Sequence, residues 1–200
     1  MPYPPAERFA GVSYAIRDVL GPARELERQG HEVLKLNIGD PCKFDFQPPG
    51  PLLEAFRAGA SDGGYGDSQG NPDAREAVAA YERARGIAVD EEDVIITTGT
   101  SEALGLLLSS VLNPGEEVLI PGPAYPPYTS LPLAFAAKAV AYPCKAEDGW
   151  APDPEVVRAH ITEKTRALVV ISPNNPTGSV IPRPTMRALC ELAWEHDLVM

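Results

Sequence analysis

The segment Ser172–Gly178 carries two adjacent asparagines, Asn174 and Asn175, each beside a proline. Proline restricts the backbone, so this loop can hold an amide side chain in one place for hydrogen bonding. The segment follows an apolar run, Ala167–Ile171, that is typical of a buried strand. It therefore lies at the carboxyl end of a strand, where open α/β sheets bind ligands. Taken alone, asparagine with proline and glycine is ordinary turn chemistry, and that interpretation is favoured.

A second candidate site is the turn Thr98–Glu102, between a predicted strand, Val94–Thr98, and a predicted helix, Ser101–Leu112. The free N–H groups and the dipole of a helix N-terminus attract an anion such as a phosphate. A plain helix cap at Thr100 or Ser101 is the alternative. The turn has no lysine, so it is not a nucleotide-triphosphate loop.

Tyr125 lies in a third segment, Pro121–Tyr128, which also follows a predicted strand. Its ring could stack on a flat aromatic ligand, although core packing is favoured for this residue taken alone. Together the three segments place a phosphate cradle, an aromatic face and a fixed asparagine at one sheet edge. This combination suits pyridoxal 5′-phosphate.

The elements that must position these residues alternate between strand and helix from residue 93 onward. This alternation predicts an α/β fold with a mostly parallel sheet flanked by helices. The helix after Gly178 is expected to bury one apolar stripe, formed by Met186, Leu189, Cys190, Ala193 and Trp194.

Composition and charge exclude several classes of protein. The 200 residues are 44% hydrophobic and 22% charged, as in a globular protein, and the formal charge of −11 argues against a nucleic-acid or anionic-membrane surface. The cysteines, Cys42, Cys144 and Cys190, are odd in number and far apart, which indicates reduced thiols in a cytoplasmic protein without a metal site. No signal peptide or membrane-spanning run is expected.

The glycine-rich segment Gly63–Gly70 superficially matches a dinucleotide fingerprint. The spacing of Gly64, Gly66 and Gly70 is wrong for that fingerprint and no strand precedes it, so this interpretation is rejected. Tyr65 in this loop is interpreted as a half-buried packing residue when taken alone. Gly39 could allow close backbone approach to a ligand, although a turn is favoured.

The chain resembles the class I/II aminotransferases, which are fold-type I pyridoxal-phosphate enzymes, from about Tyr14 to Met200. The matching segments, in order, are Leu36–Pro41, Tyr65–Gly70, Thr98–Ala103, Pro121–Tyr128 and Ser172–Gly178. Each is a weak signal alone, whereas their shared order and spacing are a strong one. The amino-acid sequences of Leu36–Pro41 and Gly64–Gly70 look most like those of the alanine (glutamate–pyruvate) aminotransferase branch.

The resemblance implies a role for each matching residue. Gly99, Thr100 and Ser101 would bind the cofactor phosphate, and Tyr125 would stack on the pyridine ring. Asn175 would hydrogen-bond the phenolate oxygen of the cofactor and lie near the substrate carboxylate.

The resemblance also implies residues of the substrate pocket and a functional homodimer. Gly39 would let its backbone approach the substrate, and Tyr14 would line the pocket. Tyr65 would reach the cofactor phosphate of the neighbouring subunit.

The lysine that forms a Schiff base with the cofactor has no match in this chain, and neither has the substrate-binding arginine. The five lysines all lie in other contexts: Lys35, Lys43, Lys138, Lys145 and Lys164. We therefore expect the catalytic lysine to lie beyond Met200, the 200 residues to be the front part of a longer polypeptide, and this part alone to be inactive. The expected division is an N-terminal arm with part of a small domain over 1–45, and the start of the large cofactor-binding domain over 46–200.

The expected reaction transfers an amino group from alanine or a similar amino acid to a 2-oxo acid such as 2-oxoglutarate. A carbon–sulfur lyase or cyclase with the same cofactor is one alternative. A non-catalytic regulator that senses a ligand is another, because a fold does not determine a function.

Overall fold

A computed structural model of the protein describes residues 3, 4, 6–9, 18–37 and 39–200. They divide into a helical unit, Leu20–Thr100, and a sheet unit, Ser101–Met200 with the described residues before Leu20. The division falls at the start of a helix, so that Thr100 belongs to the helical unit and Ser101 to the sheet unit.

The helical unit contains α1 (Leu20–Arg28), α2 (Gly50–Gly59) and α3 (Pro72–Ala84), with short 3₁₀ helices at Pro41–Phe44 and Glu91–Asp93. Both α2 and α3 have proline in the first turn, where a helix needs no amide hydrogen. The side-chain oxygen of Asn71 caps α3 by accepting a hydrogen bond from the N–H of Asp73 at 2.8 Å.

The strand predicted over Val94–Thr98 is absent from the described structure, so that prediction is wrong. The N–H of Ile96 instead donates to the carbonyl of Gln69, at 2.8 Å, in the loop before α3. Ile95 and Ile96 are 56% and 39% exposed. A strand needs hydrogen bonds to the backbone of a neighbouring strand, and an apolar run by itself does not supply that neighbour.

The sheet unit alternates helix and strand as predicted. Its elements are α4 (Thr100–Val111), β1 (Glu117–Gly122), α5 (Pro127–Ala134), β2 (Lys138–Pro143), α6 (Pro154–Ala159), β3 (Thr165–Leu168) and α7 (Arg183–Glu195). The strands are parallel in the order β2-β1-β3, and Val199 adds an isolated parallel bridge to Ala167. The predicted parallel α/β fold is confirmed.

The central strand β1 packs a core on each of its faces because successive side chains point to opposite sides. Leu119 belongs to a cluster with Leu189 and Leu192 of α7. Val118 and Ile120 belong to a second cluster, with Leu108 of α4. Helices therefore cover both faces of the sheet, as a parallel sheet requires.

Helix α7 is amphipathic, but its buried stripe differs from the predicted one. Leu189, Leu192 and Ala193 are buried, whereas Cys190 is exposed and Trp194 is 90% exposed. Five apolar residues at helical spacing cover too wide an arc for one contact, so packing on the sheet selected one side.

None of the helices in the described part of the chain is long and apolar enough to cross a membrane.

Candidate cofactor site

Two of the predicted loops leave neighbouring strands at the same edge of the sheet. β1 ends at Gly122, three residues before Tyr125, and β3 ends at Leu168, before the loop that holds Asn175. Because β1 and β3 are adjacent and parallel, their carboxyl ends lie together. The side-chain amide of Asn174 donates a long hydrogen bond, 3.5 Å, to the carbonyl of Pro123. The structure therefore brings the Tyr125 loop and the Asn175 loop into contact.

Tyr125 is partly buried at the start of α5. Its ring meets the ring of Tyr128 edge to face, with centroids 6.3 Å apart and planes at 75°. Burial, and next the neighbouring Tyr125, raise the pKa of Tyr128 above the ordinary tyrosine value. Tyr128 therefore keeps its proton in neutral solution. Tyr125 itself is only partly buried and is not among the residues of either buried cluster.

The two asparagines of the Ser172–Gly178 loop point in different directions. Asn175 is exposed and open to a ligand, whereas Asn174 is buried. The sequence pattern did not distinguish Asn174 from its neighbour. Two adjacent asparagines give no sequence signal that distinguishes their roles. In the structure, the hydrogen bond to Pro123 distinguishes Asn174 from Asn175.

Gly99 precedes α4 with a φ of +107°, and nothing lies within 4 Å of the position that a Cβ would take. This backbone conformation favours glycine and leaves the start of the helix open. Gly99 and Thr100 are exposed residues of the helical unit, so their placement beside Tyr125 and Asn175 stays a prediction.

Ser101, in contrast, belongs to the sheet unit. Leu108 of α4 packs in one buried cluster with Val118 and Ile120 of β1. Leu104 of α4 and Tyr128 of α5 line one cavity. The placement of Ser101, one turn before Leu104, beside Tyr125 and Asn175 stays a prediction.

The remaining predicted site residues lie in the helical unit or outside the described residues. Tyr65 is fully exposed on its loop, so its interpretation as a half-buried packing residue is wrong. Gly39 is exposed beside a surface cavity lined by Pro41, Phe44 and Phe46. Tyr14 lies outside the described residues.

All five lysines are exposed. Three of them form ion pairs: Lys35 with Glu27 at 2.7 Å, Lys43 with Asp40 at 3.6 Å and Lys138 with Glu117 at 3.8 Å. None lies in the loops that carry Tyr125 and Asn175, as the sequence analysis expected.

These side chains fit pyridoxal phosphate in their chemistry. An aromatic face and an exposed amide lie on contacting loops, and an open helix N-terminus starts at a glycine with positive φ. The two contacting loops can hold a planar ring and hydrogen-bond a phenolic oxygen, and a helix N-terminus can bind a phosphate.

The fold is that of a fold-type I domain of the pyridoxal-phosphate enzymes, as comparisons with known proteins show. Residues 31–200 match the family described as aminotransferase class I and II. The chain belongs to this family, whose members depend on pyridoxal phosphate.

Known aminotransferases resemble the chain along its whole length. It is 39% identical to the glutamate-pyruvate aminotransferase AlaA of Escherichia coli K12, covering 100% of this chain and 50% of the relative. The solved alanine aminotransferase of Pyrococcus furiosus is 44% identical, with a TM-score of 0.92 over 98% of this chain and 50% of its own. An aspartate aminotransferase mutant of Thermus thermophilus is 37% identical, with a TM-score of 0.89 over 98% of this chain and 52% of its own. The chain thus spans about half the length of the relatives it matches.

Proposed function

We propose that the complete protein is a pyridoxal-phosphate-dependent aminotransferase. It transfers an amino group between an amino acid, alanine or one of similar size, and a 2-oxo acid such as 2-oxoglutarate. The observation that carries this proposal is the contact between the Tyr125 loop and the Asn175 loop at the carboxyl ends of adjacent parallel strands. The relatives named as glutamate-pyruvate and alanine aminotransferases support the choice of substrate.

The residues of this chain would bind and orient the cofactor. Gly99, Thr100 and Ser101 would donate N–H and hydroxyl hydrogen bonds to its phosphate. The Tyr125 ring would cover one face of the pyridine ring and exclude water from it. The amide of Asn175 would donate to the phenolic oxygen, which favours its ionised form. When bound, the cofactor supplies an electron sink and a carrier for the amino group.

The substrate pocket and the remaining catalytic groups complete the proposal. Gly39 and Tyr14 would line the pocket, and Asn175 would also lie near the substrate carboxylate. The Schiff-base lysine would lie beyond Met200, and the division between small and large domain would fall near residue 45. Tyr65 would bind the cofactor phosphate of a second subunit in a cytoplasmic homodimer.

An assay of the complete protein with its cofactor tests this function. Alanine and 2-oxoglutarate should yield pyruvate and glutamate, with aspartate as a competing amino donor. Asn175→Ala should lower kcat/KM roughly tenfold or more, because a hydrogen bond to a charged oxygen is lost. Glu191→Gln, on the exposed side of α7, is the matched control and should leave kcat/KM unchanged.

The proposal fails if no amino donor converts 2-oxoglutarate to glutamate. Release of a thiol, ammonia and a 2-oxo acid from a cysteine-like substrate, without any 2-oxoglutarate, would instead indicate a lyase. Binding of the cofactor without turnover of any substrate would indicate a regulator.

A further inference from the structure

Asn174 is the residue that closes the Ser172–Gly178 loop on itself. Its N–H donates to the carbonyl of Ser179 at 2.8 Å, and its carbonyl accepts from the N–H of Gly178 at 2.7 Å. Its side-chain Nδ2 donates to Oγ1 of Thr177 at 2.9 Å. With 8% of its surface exposed, Asn174 is the buried centre of the loop that presents Asn175.

The same amide connects this loop to the Tyr125 loop. The second contact of Nδ2 is the Pro123 carbonyl, at 3.5 Å. A carbonyl oxygen can only accept, so this contact requires the nitrogen of the amide to face Pro123 and the oxygen to face away. Asn174 Oδ1 is buried and has no hydrogen-bond partner among the described residues.

The hydrogen bonds beside Asn174 determine where the hydroxyl hydrogens of Thr177 and Ser179 point. Thr177 Oγ1 accepts from Asn174 Nδ2 and also from the N–H of Ser179, at 3.3 Å. Both lone pairs of Thr177 are then used, so its own hydrogen must donate to Ser179 Oγ at 2.9 Å. The Ser179 hydroxyl hydrogen is left with no acceptor in the described part of the chain.

Asn174 and Ser179 line one small cavity, together with Cys144 and Trp150. Its volume is about 10 Å³, which is close to the space that one water needs. Two of the residues that line the cavity carry an unmatched group: Asn174, whose Oδ1 lacks a donor, and Ser179, whose hydroxyl hydrogen lacks an acceptor among the described residues. No charged side chain lines it, so a bound ion would lack a counter-charge.

We propose that this cavity binds one water molecule, and that Asn174 and this water position the Asn175 loop against the Tyr125 loop. The water accepts from the Ser179 hydroxyl and donates to Asn174 Oδ1, which holds the amide in the orientation that reaches Pro123. Asn174 is a positioning residue, because it acts on the cofactor through Asn175. This positioning role rests on the proposed function; the water site does not.

A high-resolution crystal structure of the complete protein tests the water site. The expected result is one density peak within hydrogen-bond distance of both Asn174 Oδ1 and Ser179 Oγ. The peak should be lost in Ser179→Ala and retained in Ser110→Ala. Ser110 is the matched control because it is exposed near the end of α4, and its hydroxyl only donates to the carbonyl of Leu107 at 2.7 Å. Absence of the peak, or a protein partner for Asn174 Oδ1, would overturn the site.

Spectroscopic titration of the complete protein with pyridoxal phosphate tests the positioning role. In Ser179→Ala and Asn174→Leu, a displaced Asn175 would stabilise the phenolate less. The pH midpoint of the visible absorption of the bound cofactor should therefore rise by roughly half a unit or more. The dissociation constant should rise by up to roughly tenfold, the value of one ordinary hydrogen bond. Ser110→Ala should leave the midpoint unchanged.

Midpoints in both variants equal to that of Ser110→Ala would refute the positioning role. If Asn174→Leu does not fold, the smaller Ser179→Ala change decides the matter alone. Failure of the unchanged protein to bind pyridoxal phosphate would refute the proposed function and with it the positioning role, while the density peak would still decide the water site.

Discussion

Gly70 closes the loop that carries Tyr65, and its replacement by alanine should be unusually costly. A Cβ at this position would lie 2.6 Å from Cβ of Ile96 and 2.8 Å from its Cγ1, and the φ of Gly70 is +103°. The contacted Cβ is fixed to the backbone, so Ile96 cannot rotate away. The carbonyl of Gln69, next to Gly70, also accepts the hydrogen bond from Ile96.

The expected loss has two contributions. Positive φ costs an alanine about 1–2 kcal/mol. Overpacking against a neighbour that must shift costs about 1–3 kcal/mol more. Gly70→Ala should therefore reduce the free energy of unfolding by about 2–5 kcal/mol. Gly86 has a φ of +89° and nothing within 4 Å of a Cβ, so Gly86→Ala should lose only the first contribution.

Urea unfolding of the complete protein measures both losses in the free energy of unfolding, provided that the slope of this free energy against urea concentration is unchanged. A double-mutant cycle isolates the clash, because Ile96→Gly removes both contacted atoms. In that background Gly70→Ala should cost about as much as Gly86→Ala. Equal losses for Gly70→Ala and Gly86→Ala in the unchanged protein would refute the argument, since they would show that the contact with Ile96 carries no energy.

Two further predictions concern titratable groups. Burial raises the pKa of the Cys144 thiol. In native protein near pH 8, Cys144 should therefore react with a maleimide or disulfide reagent much more slowly than the exposed Cys42 and Cys190. Equal reaction rates would contradict the burial of Cys144. The hydrogen bond from the N–H of Asn113, and next the Arg166 side chain, lower the pKa of the Glu116 carboxyl below its usual 4.5. The carboxylate therefore contributes to stability above the unfolded pKa, and this contribution is lost as the pH falls through the lower pKa of the folded state. The melting temperature of Glu116→Gln should fall less than that of the unchanged protein as the pH drops from about 5, and parallel curves would contradict this assignment.

The sequence predicted the sheet unit well because its patterns are local. Short apolar runs set the strands, and proline and glycine set where helices begin and end. The loop with Asn175 could be found because two prolines and a glycine follow a strand. Asn174 could not be assigned a role, since its partner Pro123 lies 51 residues away and its burial depends on packing.

The stretch Val94–Thr98 and helix α7 show why other predictions failed. The period of an apolar run predicts that a strand can form, but pairing depends on a neighbouring backbone at the right distance. In α7 the wide apolar arc was correct, but the exposure of Trp194 depended on which side of the helix the sheet contacts.

By itself, the sequence determined the class of fold, the order of the elements of the sheet unit and the family, while the residues it offers to the cofactor stay a prediction. These features rest on short-range chemistry: side-chain period, turn residues and the free N–H groups of a helix start. Only the tertiary structure decided that β1 lies between β2 and β3, that Asn175 faces outward while Asn174 faces inward, and that one amide joins the two loops. Those features depend on contacts between residues far apart in the chain, which exist only once the strands have packed.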